Sequence, residues 1–503
     1  MGAYHKGEAG AVSGVAHTQF EAIEGFLRSD QASVMSHAEL EERLQTDGRE
    51  PLRQLFQSRL ELRGLREQRQ DTVVGSDEAV RTHIETKERG LMTVFGPVRV
   101  ARLAYRGCGM TALHPLDAAL NLPEEKQSHG LRRLAAEDAS QLSYDNTVAS
   151  VRRQTGDTLA KRQTEELVVR AAQDFDALYE QEVPAGPTNR RDLLVLCSDG
   201  RGTVMRPEGL REATRQAAMQ SLHKLEGRLS EGEKRNRKQM ATAAAVYDVA
   251  PYVRTLEDIR RDLRPARDTS RPRPRAWNKR VWASAEKPAE DVTRELFDET
   301  QPRDPGHHRR WVVLADGERH QIDRLRAEER RRGIKPVFVL DLLHVLEYLW
   351  DAAWCFFEEG DAAAEAWVTE HALAILKGRS SDVAAGIRRS ATLRGLRSKM
   401  RKGADDCADY LLAKREMFHY DEHLQADLPI ATEVVEGARR HLINDRLDIT
   451  GARWTVPGAE TVPQLRAVRS SGDFKTYWRY HLHREYLRHH ASRYAAKPAC
   501  EAA

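Results

Sequence analysis

The chain has 503 residues, 40% of them hydrophobic and 31% charged, which exceeds one compact core and leaves apolar material for two or more folding units. No window approaches ~18 uninterrupted apolar residues, and the opening MGAYHKGEAGAVSGVAH has neither a basic stretch nor an apolar stretch of leader type, so a cytoplasmic protein without a membrane partner is expected. The net charge of +3 implies that any surface for a polyanion is a local patch, and five cysteines without a CxxC pair argue against a disulfide framework and a zinc ribbon.

Residues 17 to 70 carry apolar positions three or four apart with charges between them, which predicts a small helical unit over 1–75. From about 78 the period shortens. The stretch VRTHIETKERGLMTVFGPVRVARLAYRG alternates and contains turn signals at Glu88-Arg89-Gly90 and Gly96-Pro97, predicting two or three antiparallel strands. Residues 128 to 175 return to helix, with two helices meeting near Gly156 behind the capping residues Ser143 and Asp157. A helix-turn-helix would set Lys161 and Arg162 of its second helix in a major groove; an ordinary helical pair is the plain alternative. Together 76–183 reads as a DNA-binding region, closed by the linker EVPAGPTNRRD.

The second half, 184–503, opens with strands at 192–200, 201–208 and 239–253, followed by RRWVVLADG and PVFVLD around a charged helix. Strands first and then alternation of helix and strand predict a mixed α/β sheet. A helical, charged stretch without strands covers about 362–428. Two strands end alike, in Ser198-Asp199-Gly200 and Ala315-Asp316-Gly317, and a third ends at Asp341. Ligand chemistry gathers at strand ends in open sheets, although Asp-Gly also makes plain turns. Phosphodiester chemistry by two divalent ions needs several oxygen ligands around metals roughly 3.5 to 4 Å apart. A further acid is available in ATEVVEGARRHLINDRLDITGARW, where Glu433 and Glu436 lie on one helical face, the glycine after Glu436 leaves room for a close partner, and Arg439 and Arg440 follow.

These motifs together resemble a bacterial insertion-sequence transposase of the ISKra type, related to the Mutator superfamily. The resemblance runs from GLMTVFGPVRVARLAYR through SDGRGTVMRPEG, WVVLADGERHQ and DLLHVLEYLWDAAW to VVEGARRHLINDRLDITGARW and DFKTYWRYHLHREYLRHH. It implies a multidomain α/β protein: a ribonuclease-H-like catalytic core with a helical insertion, preceded by a mainly helical DNA-binding region with a small β element. It implies an acid triad of Asp199, Asp316 and Glu436 holding two Mg²⁺ (or Mn²⁺) ions, with Glu433 as the neighbouring register. In the related superfamilies a Cys- or Asp-x-x-His signature lies downstream of the second acid, and Asp341-Leu342-Leu343-His344 matches it here. Counting strands puts Asp316 behind the fourth and Asp341 behind the fifth, so Asp341 and His344 become secondary residues.

The activity implied is strand cleavage and transfer on double-stranded DNA, at terminal repeats and target, by a homodimer or larger assembly that is nucleoid-associated when bound. Two alternatives are a transposase-derived DNA-binding protein without catalysis, and a metal-dependent structure-selective nuclease. For DNA contacts the stretch 260 to 282 concentrates Arg271, Arg273, Arg275, Lys279 and Arg280 with prolines and two tryptophans, in what reads as a loop. HHRR (307–310), RRRG (330–333) and RSKMRK (397–402) add basic clusters. In the C-terminal helices, about 474–494, Tyr477, Trp478 and Tyr480 are expected to pack while Arg484 and Arg488 face phosphate or solvent. His481 and Glu485 lie four apart there without a third metal ligand.

Overall fold

The computed structural model describes residues 14–181, 191–220, 238–262, 274–431, 433–449 and 451–496. The chain divides into two compact units, Met1–Glu180 with Asp473–Ala503, and Gln181–Gly472. No helix among the described residues is long and apolar enough to cross a membrane.

The first unit starts with helices Gly14–Leu27, Asp30–Ser33, His37–Asp47 and Arg49–Leu65. Strands β1 (Val73–Val74) and β2 (Val80–Arg81) pair antiparallel, and β3 (His83–Thr93) and β4 (Gly96–Arg106) form a hairpin. Its turn falls at Val94-Phe95, with Gly96 at φ +115°. Glu88, Arg89 and Gly90, expected to turn, instead pair with Ala101, Val100 and Arg99. Val98 and Val100 bury against Leu60 and Leu91, and that apolar face holds the register through Gly90.

Helices His129–Ala139, Tyr144–Thr155 and Lys161–Ala172 pack on one another. Ser143 caps the second by accepting from the Asn146 amide, and Gly156 ends it at φ +80°. The third begins at Lys161 behind Ala160, so Asp157 lies in the connection and is not its cap.

Helix Phe474–His489 falls in this unit, not with the sheet it was expected to accompany. The reason is electrostatic. Arg132, fully buried, reaches Glu485 at 2.6 Å and His481 Nε2 at 2.9 Å, while His481 Nδ1 lies 2.7 Å from Asp174. Arg488 donates to Asp174 at 2.5 Å while its side chain stays 33% exposed, and Arg484 lies 3.7 Å from the same carboxylate. Leaving any of these buried ions alone would cost several kcal/mol, which keeps the helix with its partners. Tyr477 and Trp478 are buried, with the Tyr477 hydroxyl donating to the Ala171 carbonyl at 2.6 Å.

The second unit is built on a five-stranded mixed sheet of β5 (Leu193–Val204), β6 (Lys238–Val249), β7 (Trp277–Ser284), β8 (Trp311–Ala315) and β9 (Val337–Leu340). Their order is β7-β6-β5-β8-β9. The pairs β5/β6 and β6/β7 are antiparallel, while β5/β8 and β8/β9 are parallel. The run LLVLCS of β5 is buried at every position, which marks a central strand covered on both faces. Helix Ala289–Thr300 packs on β5 and β6, helix Glu433–Arg439 on β5, β6 and β7, and helix Val456–Ser471 on β7. Helices Ala362–Leu376, Ser380–Leu393, Lys402–Ala413 and Tyr420–Gln425 follow β9.

Two expected boundaries change. The strands read at 192–200 and 201–208 are one strand, paired with β6 from Leu193↔Val249 to Val204↔Lys238 straight through Gly200 and Gly202. Part of the arginine-rich stretch read as a loop is the edge strand β7, where Trp282 is buried with its indole N–H donating to Glu295 at 3.2 Å.

Candidate active site

Strands β5 and β8 run parallel with Cys197 opposite Leu314. Two residues further along each, Asp199 and Asp316 stand level at the same end of the sheet, because parallel strands advance together. Asp199 is still paired with Ala243 of β6, whereas Asp316 follows β8 and begins a turn. The Asp316 Oδ1 accepts from the Glu318 amide at 2.8 Å, and Gly317 takes φ +88°. Glu318 then caps helix Arg319–Arg332, accepting from the amides of His320 and Gln321. The Gln321 side chain donates to the Ser198 carbonyl at 2.6 Å and so ties that helix to β5 beside Asp199.

The two acids have distinct surroundings. Burial raises the Asp199 carboxyl above its ordinary value; Arg439 opposes this, the charge of Asp316 adds to it, and His344 and the Gly200 amide act downward. The Arg439 Nη1 lies 2.8 Å from Asp199 Oδ2. Asp316 faces His344, whose Nε2 is 3.8 Å from Oδ2 and whose Nδ1 is 2.8 Å from Glu347. The Tyr410 hydroxyl donates to the Asp316 carbonyl at 3.0 Å, and its ring stacks on Tyr348 with centroids 4.2 Å apart. Burial, then Asp316, pushes the Tyr410 phenol well up, so it remains a donor.

Asp341 has another task. It is buried and is the N-cap of helix Leu342–Ala353, its Oδ1 accepting from the Leu343 amide at 2.9 Å. Its amide donates to the Ala315 carbonyl at 2.8 Å, and the Leu340 carbonyl accepts from Tyr420 at 3.0 Å. Asp341 therefore orients the helix that carries His344 toward Asp316.

Glu436, on helix Glu433–Arg439, is exposed, and its side chain makes no hydrogen bond or ion pair among the described residues. It lies one turn before Arg439, on the same flank of the helix. The Glu433 side chain lies outside the described residues. The helix passes directly into a π turn, Arg440–Asn444, with Arg440 exposed. Among the described residues no group of three His, Cys, Asp or Glu side chains stands close enough to hold a metal ion. The carboxylate oxygens of Asp199 and Asp316 have the donor chemistry of a hard divalent cation, and their mutual repulsion is what such a cation relieves. The positive charge beside them here comes from Arg439, and the His344 imidazole stands against Asp316.

The expected DNA contacts are distributed as follows. Lys161 pairs with Asp145 at 2.9 Å and Arg162 with Glu166 at 3.1 Å, both exposed in the first unit. Arg271 and Arg273 lie outside the described residues; Arg275 and Lys279 are exposed. Arg280 is spent on Glu299 and on the Trp282 ring, 4.8 Å away. Arg439, read as a phosphate contact, is instead the partner of Asp199. Tyr410 and Gln321 escape the sequence reading, since each acts on a backbone carbonyl and leaves no local pattern. No known protein family matches the chain, and no curated protein matches it.

Proposed function

We propose that this protein is a DNA transposase of an insertion sequence, with the second unit as a ribonuclease-H-like core. The observation that carries the reading is topological. Numbered within the sheet, the strand order is third, second, first, fourth, fifth, with the second antiparallel and the rest parallel, as a ribonuclease-H-like sheet requires. Its first and fourth strands end level in Asp199 and Asp316, and Glu436 is carried on a later helix that packs on the same sheet.

In this reading Asp199 and Asp316, joined by Glu436, would hold the two divalent ions, which would supply charge neutralisation at a phosphodiester. The chain's own residues do the positioning. Asp341 and the Leu342–Ala353 helix hold His344 against Asp316, and Tyr410 fixes the turn in which Asp316 sits. Arg439 opposes the upward pull of burial on the Asp199 carboxyl and stands where a phosphate oxygen would find its guanidinium when DNA arrives. Water is the first nucleophile and the freed 3′-hydroxyl the second, so no covalent protein intermediate forms. The protein acts as a dimer or larger assembly that joins two ends, on the nucleoid.

A second reading, a transposase-derived DNA-binding protein without catalysis, gains support from the Arg439–Asp199 pair and the exposed Glu436. The test is nicking and joining of DNA carrying the terminal repeats that flank the gene, with Mg²⁺. Wild type is expected to cut and join, and Asp316→Asn to do neither. Cutting without joining would favour a structure-selective nuclease; tight binding without cutting would favour the non-catalytic reading. An active Asp316→Asn beside a dead Asp341→Asn would overturn the acid assignment.

A further inference from the structure

Three of the parallel strands share a charge pattern that the acid site does not use. Each is preceded by cations and followed by an acid: Arg191 before β5 and Asp199 on it, His307 to Arg310 before β8 and Asp316 after it, Arg330 to Lys335 before β9 and Asp341 after it. Parallel strands point the same way, so the cations collect at one end of the sheet as the acids do at the other. At the basic end lies a cavity of about 1030 Å³, lined by Arg191, His307, His308, Arg310, Arg332 and Lys335, with a single carboxylate among the described residues, Asp427. Arg332 is committed to Asp298 and Glu328, and Arg309 beside it to the buried Asp248. Arg310 and Lys335 are exposed and form no ion pair among the described residues; Arg310 spends one N–H on the Ala426 carbonyl, at 3.1 Å.

Asp427 also lines a second cavity of about 470 Å³ at the same end, where Arg254, Arg275 and Tyr252 stand at the margins of β6 and β7. The two hollows share Asp427 at that end of the sheet, and the first, with its cations, is the basic groove. Along β5 it lies six residues from Asp199, roughly 20 Å at ~3.3 Å per residue. A phosphate held at Arg310 or Lys335 is thus not one undergoing attack at the acids. Nor does the groove bring acids together, so its chemistry is binding without reaction.

We propose that this groove is a second DNA surface, gripping the sugar–phosphate backbone of a duplex segment distinct from the one at Asp199 and Asp316. Naming DNA as the polyanion rests on the functional reading above; the charge pattern does not. Exposed guanidinium, ammonium and imidazole groups from three separate segments suit a backbone contact, which positions a duplex without reading its sequence. In strand transfer such a segment is the flank of the target, or the other element end.

The experiment is binding of a generic fluorescent duplex to the full-length protein in EDTA, read by anisotropy over a range of salt, so that no cleavage is needed. Arg310→Glu with Lys335→Glu is expected to weaken binding about tenfold near 0.1 M salt and to make the dependence of log K on log salt shallower by about two, one unit per lost phosphate contact. The neutral pair Arg310→Gln with Lys335→Gln should give the same change of slope, which guards against a fold disturbed by the reversals. Lys414→Glu with Arg415→Glu, the same change of net charge elsewhere, should leave the slope unchanged. If wild type binds the duplex and both groove variants bind it with the same affinity and slope, the groove is not a DNA surface and the transposase reading stands. If the groove variants lose inorganic tripolyphosphate but keep the duplex, the site takes a small polyphosphate and the DNA assignment is overturned. Wild type that binds no duplex at all removes both proposals.

Discussion

Gly317 holds the turn that aims Asp316, and replacing it with alanine tests whether that turn is as constrained as its geometry implies. At φ +88° a side chain is disfavoured by about 1–2 kcal/mol on conformational grounds alone. The new Cβ would also stand 3.0 Å from the Tyr410 hydroxyl and 3.2 Å from Leu340 Cδ2. Tyr410 must then give way, and its 3.0 Å hydrogen bond to the Asp316 carbonyl, worth about 0.5–1.5 kcal/mol, is weakened. The expected cost is about 2–3 kcal/mol. Gly333→Ala is the matched control, because Gly333 also has positive φ, +67°, but nothing within 4 Å of its Cβ position; only the conformational cost should remain, about 1–2 kcal/mol. The measure is the urea concentration at which the amides of Val195 and Val313, both fully buried on central strands, lose hydrogen-exchange protection. Gly317→Ala costing no more than Gly333→Ala would refute the packing argument. Nicking at full rate would refute the claim that the turn positions Asp316.

Other perturbations follow from the same contacts. Arg439→Gln removes the strongest influence holding the Asp199 carboxyl down, so its proton is retained to higher pH and the acidic limb of the nicking profile should move upward; an unmoved limb would detach Arg439 from Asp199. Burial alone would raise the Glu485 carboxyl, but Arg132 overrides it and holds it at about 2, so its contribution is full above the ordinary value of 4.5 and is lost as pH falls through about 2. Glu485→Gln should therefore destabilise the first unit by about 3–5 kcal/mol at neutral pH and flatten its loss of stability between those two pH values, as read by hydrogen exchange of the Phe474–His489 helix. Gly437→Ala meets nothing within 4 Å and should stabilise helix Glu433–Arg439 by roughly 1 kcal/mol. If the open space beside Gly437 admits substrate, the same change should slow nicking, and full activity would deny the glycine that role.

Asp316 is assigned through a strand count whose components are partly mistaken. Residues 192 to 208 read as two strands because Asp-Gly-Arg-Gly has the composition of a turn, yet β6 pairs with every residue from Leu193 to Val204 and keeps the chain extended. The strand lost there is regained in β7, which reads as a loop because WNKRVWAS is an edge strand whose first half is polar and only partly buried. The two errors cancel, so Asp316 still follows the fourth strand and Asp341 the fifth. Local pattern reveals acids at strand ends; it does not reveal which partner a helix brings to them, since Arg439 and Glu436 are one turn apart and equally polar. Nor does composition indicate that helix Phe474–His489 leaves the sheet unit, a choice made by Arg132 and Asp174, more than 300 residues earlier.

The charge division of the sheet has the same origin. HHRR and RRRG look like separate solvated clusters in sequence, and the acids after VVLA and VFVL look like separate turns. Strand direction is what relates them. Had β8 run antiparallel to β5, Arg310 would lie near Asp199 and Asp316 near Arg191, and the charges would offset one another locally. Because β5, β8 and β9 are all parallel, like charges are forced together at each end, and each end requires a counter-charge from elsewhere. At the acidic end the protein itself supplies Arg439. At the basic end the carboxylates Asp192, Asp248 and Asp304 are buried beneath the surface, and the groove itself offers only Asp427 against its cations. An end left so uncompensated favours an anion from solution, and its field extends over a Debye length, about 8 Å at physiological salt, far enough to meet a phosphate backbone before contact.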